Sequence, residues 1–378
     1  MEEVAREYSI ISPQMSDSQR IIGGGGQQTV NQRNVGLDIV RTIACLSVIA
    51  SHYFLHSKFN TATFQGPSMF IQGMLSSMII GSDLYMILTG FLCCNKIPNR
   101  KFYMSGIKVL LSYIFFSILT IIVNIYYFHT GMTWKSGLMG ILNFSTIPYA
   151  WYIEMWIGLF ILAPFINMWY KALPTKKSKL QLIIILLLIS GLPDFFNRYG
   201  MYIVPAFWEG IYPIAFYLTG CFLREYRPSF NRLKLALFIL AIISINSFAT
   251  IISGHNTYLH IIGDRNGLFM ASLAIAIFLI SYNITMNNGI AKGIFRTISL
   301  RSLDIFLSSA IFDFYLYPYF MEHYFRDQSQ FGIYYFVIVP LIFAICFVVA
   351  SVKRIIFDLL QKPLTALNIP IQLQNKAA

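Results

Sequence analysis

Ten long apolar runs divide the chain, near residues 35–55, 67–94, 106–128, 148–170, 179–193, 205–223, 233–253, 267–283, 298–320 and 331–352. About 20 helical residues cross a hydrocarbon core, and lipid obliges each spanning segment to satisfy its own backbone. The runs therefore predict an all-α polytopic integral membrane protein with about ten transmembrane helices. The fifth run stops short at Pro193, and the ninth carries several polar residues. Charged residues make up only 12% of the chain, where a soluble domain keeps roughly 25%.

A formal net charge of +12 raises the question of nucleic acid, and the distribution of the charges answers it. With both termini in the cytoplasm, 22 of the 28 Lys and Arg fall in cytoplasmic segments. The outer loops keep Lys58, Lys135, Arg198, Arg265 and Arg326, while Arg41 lies inside the first run. This is the positive-inside pattern, so the basicity belongs to topology, with a cytoplasmic anionic ligand as a second use. Residues 1–33 are polar, include GGGG at 23–26 and read as a flexible cytoplasmic tail. The start MEEVAREYSI lacks the apolar core of a signal peptide. Residues 34–362 form the expected membrane domain, and 363–378 a short C-terminal tail.

Cys45, Cys93, Cys94, Cys221 and Cys346 all fall in apolar runs without metal-ligand spacing, so they read as small buried residues with no structural disulfide. The segments 129–148, 191–205 and 254–266 mix aromatics with Asn, Asp, Thr and His, which suits either sugar contact or an interfacial aromatic belt. YMILTGFLCCNK (85–96) and FYLTGCFLRE (216–225) echo one another, and small residues at helix contacts account for the echo without a repeat.

The first run, LDIVRTIACLSVIASHYF (37–54), carries an acid, a guanidinium and an imidazole at membrane depth, where each costs a few kcal/mol. At 100° per residue, Arg41 and His52 differ by about 20°, and Asp38 lies within about 60° of both. The three form one polar stripe, with Arg41 and His52 about 16 Å apart along the axis. An Asp38–Arg41 ion pair at the inner helix end is the structural alternative. His52 and His56 have the spacing of a metal pair, but no third ligand stands near them. Other acids in or beside the runs are Asp83, Glu154, Glu209, Asp304 and Asp313. Glu154, at about the depth of His52, or Asp313 is positioned to orient that imidazole and raise its basicity. The nucleotide signatures GxGxxG and GxxxxGK[ST] and the GxSxG elbow are missing from the sequence.

LDIVRTIACLSVIASHY resembles the opening helix of the membrane-bound acyltransferase 3 family, roughly LDxLRxxAxxxVxxxH, with Asp38, Arg41, Ala44, Val48 and His52 at the family spacing. GSDLYMILTGFL (81–92) resembles the family's GVDLFFVLSGFL, with Thr89 in place of Ser. AWYIEMWIGLFILAPFI (150–166) and IYPIAFYLTGCFL (211–223) are similar to two later segments. In SLDIFLSSAIFDFYL, Ser309 stands where many members carry histidine.

The resemblance implies a ten-helix membrane acyltransferase of the plasma (bacterial inner) membrane. Such an enzyme takes an acyl group, most often acetyl, from cytoplasmic acyl-CoA to a hydroxyl of a surface or lipid-linked glycan. It implies no tightly bound cofactor: acyl-CoA is a substrate, its phosphates are expected at Arg41, Lys96, Arg100 and Lys101, and Asp38 with Arg41 organises the CoA end. His52 is the expected catalytic residue, accepting the acyl group or deprotonating the hydroxyl. The rival readings are a transporter or flippase of a glycan or small anionic solute, and a non-catalytic glycan-binding component. A transporter often shows inverted repeats, and the sequence has no convincing pair.

The charge partition predicts labelling. A cysteine placed at Lys135 will react with an impermeant maleimide on intact cells, and one at Lys177 only after permeabilisation. Reaction at position 177 in intact cells would invert the orientation.

Overall fold

Segments that meet no water must bond their own backbone, and the regular structure among the described residues of the computed structural model is helical throughout. Described are residues 33–57, 69–76, 78–197, 202–252, 267–324 and 331–366; from Asn34 onward these belong to one compact unit, Asn34–Gln374. The helices are α1 (Val35–His56), α2 (Met69–Ser76), α3 (Gly81–Cys93), α4 (Arg100–Ile122), α5 (Trp134–Leu142) and α6 (Trp151–Ala172). They continue with α7 (Lys176–Phe196), α8 (Tyr212–Tyr226), α9 (Arg232–Ile252), α10 (Leu268–Ser281), α11 (Gly289–His323) and α12 (Phe331–Ala366). A π-helical turn, Val123–Tyr127, prolongs α4, and a 3-10 turn, Ala206–Ile211, leads into α8. The polar tail up to residue 32, the last residues from 367 and the outer segment 254–266 lie outside the described residues, as do Lys58, Arg198, Arg265 and Arg326.

Seven helical stretches among the described residues are long and apolar enough to cross a membrane. They are α1, Gly73–Cys93, Arg100–Tyr127, α6, α7, Arg232–Ala249 of α9 and Gly332–Leu359 of α12. Helix α10 is apolar but shorter, and α8 has 15 residues. The ninth apolar run lies inside the 35-residue α11. The fifth run does not stop at Pro193: α7 carries the proline in its last turn and ends at Phe196. The second run, continuous in hydropathy, is broken between α2 and α3. Ser47 of α1 makes the break tolerable, because its hydroxyl donates to the Met78 carbonyl and accepts from the Ile80 amide at 2.9 Å. One side chain thus braces both sides of the interruption, where the Ile80 amide also reaches the Met78 carbonyl at 3.0 Å.

Helix α1 packs on α3, α10, α11 and α12, which makes it the centre of the bundle. The tightest neighbours are α3 and α8, and the two LTG segments account for this. A Cβ at Gly90 would overlap the Tyr217 carbonyl, and one at Gly220 would overlap the Ile87 carbonyl. Each glycine thus rests on the carbonyl three residues before the other, a reciprocal contact of the small-residue kind. Buried Asn167 of α6 ties this pair to its surroundings. Its amide donates to the carbonyls of Cys93 and Lys96 at 2.8 and 2.9 Å, and its oxygen accepts from the Tyr217 hydroxyl at 2.9 Å. Two buried cations also find partners. Lys353 of α12 meets Asp304 of α11 at 2.5 Å, and Lys179 of α7 meets Glu225 of α8 at 2.8 Å.

The reciprocal contact predicts a sharp contrast between glycines. Gly90→Ala will cost on the order of 1–3 kcal/mol, because the new methyl meets backbone rather than a movable side chain. Gly158→Ala, with open space around its Cβ, will stay within about 0.5 kcal/mol of the parent. Thermal unfolding of the detergent-solubilised protein measures both; equal midpoints would rule out the contact as a source of stability.

Candidate functional site

The polar stripe of α1 borders a cavity of about 430 Å³ enclosed by α1, α3, α4, α6, α10 and α11. Arg41 and His52 both line it, so one helix lends its guanidinium and its imidazole to the same space. Much of the wall is apolar, from Leu88, Leu92, Trp156, Phe160 and Phe306, and Ser82, Thr89, Ser105 and Ser302 interrupt it. Asp38 is buried one turn before Arg41 but does not line the cavity.

His52 is 3% exposed and is held on two sides. Its Nδ1 lies 2.7 Å from Oδ2 of Asp313, whose exposure is 0%. The Ser309 hydroxyl is 3.2 Å from the same nitrogen. Ser309 and Asp313 are four residues apart on α11, so they share one helix face. A carboxylate at that depth needs a partner, and the close approach of the imidazole supplies one. The Ser309 hydroxyl already donates to the Phe306 carbonyl, so it accepts from Nδ1–H, and Nε2 is the nitrogen that carries the lone pair on the ring that borders the cavity. A base oriented by a buried acid is the arrangement that general acid–base chemistry requires.

The other expected orienter stands elsewhere. Glu154 is exposed and does not line the cavity, whereas its neighbour Ile153 does. One residue turns a helix by about 100°, so an α6 that presents Ile153 inward turns Glu154 outward. The similar depth inferred from sequence does not fix which way the carboxylate faces.

Arg41 donates from a guanidinium nitrogen to the Ser299 hydroxyl of α11 at 2.9 Å, which fixes it in the cavity wall. Lys96, Arg100 and Lys101 do not join it: all three are exposed and none lines the cavity. They sit on the segment between Cys93 and Ser105, two residues that do line it. The segment is held at one end by Asn167, and at the other by Asn99, which accepts from the Phe102 amide at 2.8 Å to start α4.

Tyr149 carried no role in the sequence, yet its ring stacks on the His52 imidazole at 3.7 Å with 20° between the planes. It occupies the turn before α6, where no periodic pattern marks it. Among the described residues, no group of three or more His, Cys, Asp or Glu could hold a metal ion.

The family model of the acyltransferase 3 type, described as an acyltransferase domain, matches residues 34–351. No curated protein and no solved structure matches the chain.

The geometry separates the two acids by experiment. Asp313→Asn will lower acyl transfer by roughly 10²–10⁴, as expected when a catalytic imidazole loses its anionic partner. Glu154→Gln will remain within a few-fold of the parent. The reverse order, measured at matched protein level, would return the orienting role to α6.

Proposed function

The chain belongs to the acyltransferase 3 family, and on that footing we propose that it is an acyl-CoA-dependent O-acyltransferase. It moves a short acyl group, most simply acetyl, to a sugar hydroxyl of a cell-surface or lipid-linked glycan. The observation that carries this reading is one cavity bordered at once by His52, backed by buried Asp313, and by Arg41. Eleven residues of α1 separate Arg41 from His52, a rise of about 16 Å. The arm between the phosphate and sulfur of CoA has about 13 bonds, each advancing an extended chain by about 1.2 Å, so it spans about the same length. A phosphate gripped at Arg41 therefore leaves the thioester at His52.

In this mechanism His52 Nε2 removes the proton of the acceptor hydroxyl, and the alkoxide oxygen attacks the thioester carbonyl. Asp313 stabilises the imidazolium that forms. Collapse of the tetrahedral adduct breaks the carbon–sulfur bond, and the departing thiolate takes the proton back from the imidazolium. The base is thereby regenerated, and the products are an ester and free CoA. Arg41 suits a phosphate because its planar fork donates two parallel hydrogen bonds. Lys96, Arg100 and Lys101 add positive charge to the segment beside the cavity, favouring the other phosphates of CoA. Asp38 places a negative charge in the first turn of α1, where the helix dipole favours it, and anchors that end.

The same reading sets the protein in a bacterial inner membrane. Ten crossings, a membrane domain over 34–362 and cytoplasmic termini agree with the partition of basic residues. CoA cannot cross lipid, so the Arg41 end faces the cytoplasm.

Two variants test the proposal. His52→Asn will insert and accumulate normally yet leave the glycan unacylated, with a loss of at least about 10²-fold. Mass spectrometry of the surface glycan reads the outcome. Unchanged acylation would remove His52 from the mechanism and favour a transporter. Arg41→Ala will raise the KM for acyl-CoA more than that for the glycan, and Arg41→Lys will recover part of the loss. If both keep normal acyl-CoA dependence, Arg41 is a structural partner of α11 alone.

A further inference from the structure

His56 lies one turn beyond His52 on α1 and does not border the cavity. It is nevertheless joined to the same site. Its Nε2 contacts the hydroxyl of Tyr149, and Tyr149 is the ring that stacks on His52. His56 is in turn gripped by α11, stacking on Tyr317 at 5.5 Å and meeting Phe314 edge-on at 4.9 Å.

Two constraints act on the His52 ring. Asp313 and Ser309 hold Nδ1, which fixes one point and leaves the plane free to swing about it. Tyr149 covers a face and fixes the plane. A stacked ring orients its neighbour only as well as it is itself held, and a tyrosine on the turn before a helix has no helix ladder to hold it. The hydroxyl at its far end has a partner in His56, whose own position is set by α1 and by two aromatic contacts.

We propose that His56 and Tyr149 act together as positioning residues for His52: the His56–Tyr149 hydrogen bond holds the phenol ring, which aims Nε2 at the acceptor hydroxyl. This rests on the reading of His52 as the base in acyl transfer. It assigns His56 a part that neither the α1 spacing nor a metal-ligand role supplies. A role confined to packing makes a different forecast, because a phenylalanine at position 149 keeps the ring, its stacking and its volume.

The test is a double-mutant cycle on the purified full-length protein, with kcat and the acyl-CoA KM measured against a soluble sugar acceptor. Tyr149→Phe and His56→Asn will each lower kcat by about tenfold, less than the roughly hundredfold that a 1 Å misplacement can cost. The acyl-CoA KM will not change, because neither residue stands near Arg41. The double variant will be no slower than the slower single one, since both changes break the same link. His56→Gln, whose amide reaches the Tyr149 hydroxyl, will recover most of the rate lost in His56→Asn. Multiplying losses, or Tyr149→Phe at the parent kcat, would overturn the proposal. If His56→Asn fails to accumulate, Tyr149→Phe and His56→Gln carry the test alone. His52→Asn run alongside separates the two levels: activity in that variant refutes the base itself. An inactive His52→Asn beside fully active Tyr149→Phe and His56→Asn refutes only the positioning.

Discussion

An acid with 0% exposure inside a membrane bundle is tolerable only if something answers its charge, and Asp313 is answered by His52. That pairing, at Nδ1, joins α11 to α1 beside the cavity. It also explains the neighbourhood. Ser309 closes on the same nitrogen, Tyr149 covers the ring, and Arg41 reaches Ser299 further along the same helix pair. Stability and chemistry share one interaction here, so a change that spares the fold while removing the acid becomes the most informative one.

Two buried lysines follow the same logic at a distance from the cavity. Lys353 lies near the rings of Phe115, Phe116 and Phe357 and ends on Asp304, while Lys179 approaches Tyr170 and ends on Glu225. In each case a long stem lies along apolar surface and the ammonium finds one carboxylate. These joints tie α12 to α11 and α7 to α8, and neither lysine borders the cavity.

What could be read from the chain was whatever repeats locally. The alignment of Arg41 with His52 needs only the pitch of one helix, and both do border the cavity. Helix positions followed from hydropathy for the same reason. The choice between Glu154 and Asp313 was not legible, since depth along a run says nothing about which way a neighbouring helix turns. Tyr149 escaped notice because a turn residue has no period. The break between α2 and α3 was hidden because the hydroxyl that braces it, that of Ser47, lies on another helix. Pro193 misled in the opposite sense: a proline in the last turn ends little, as α7 had only a few residues left to run.

The reciprocal seating of Gly90 and Gly220 brings the backbones of α3 and α8 together with no side chain between them at those two points. Rotating one helix against the other would drive backbone into backbone, so the pair behaves as a single stiff plate. The opposite wall is built differently. Where α4 meets α6, Gly106 faces only the edge of the Phe160 ring, and Phe160 itself borders the cavity. Phe160 is itself sandwiched between Phe102 at 4.3 Å and Trp156 at 4.7 Å, so this wall is set by ring stacking where the other is set by backbone against backbone. The basic segment 96–101 lies at the join between the two.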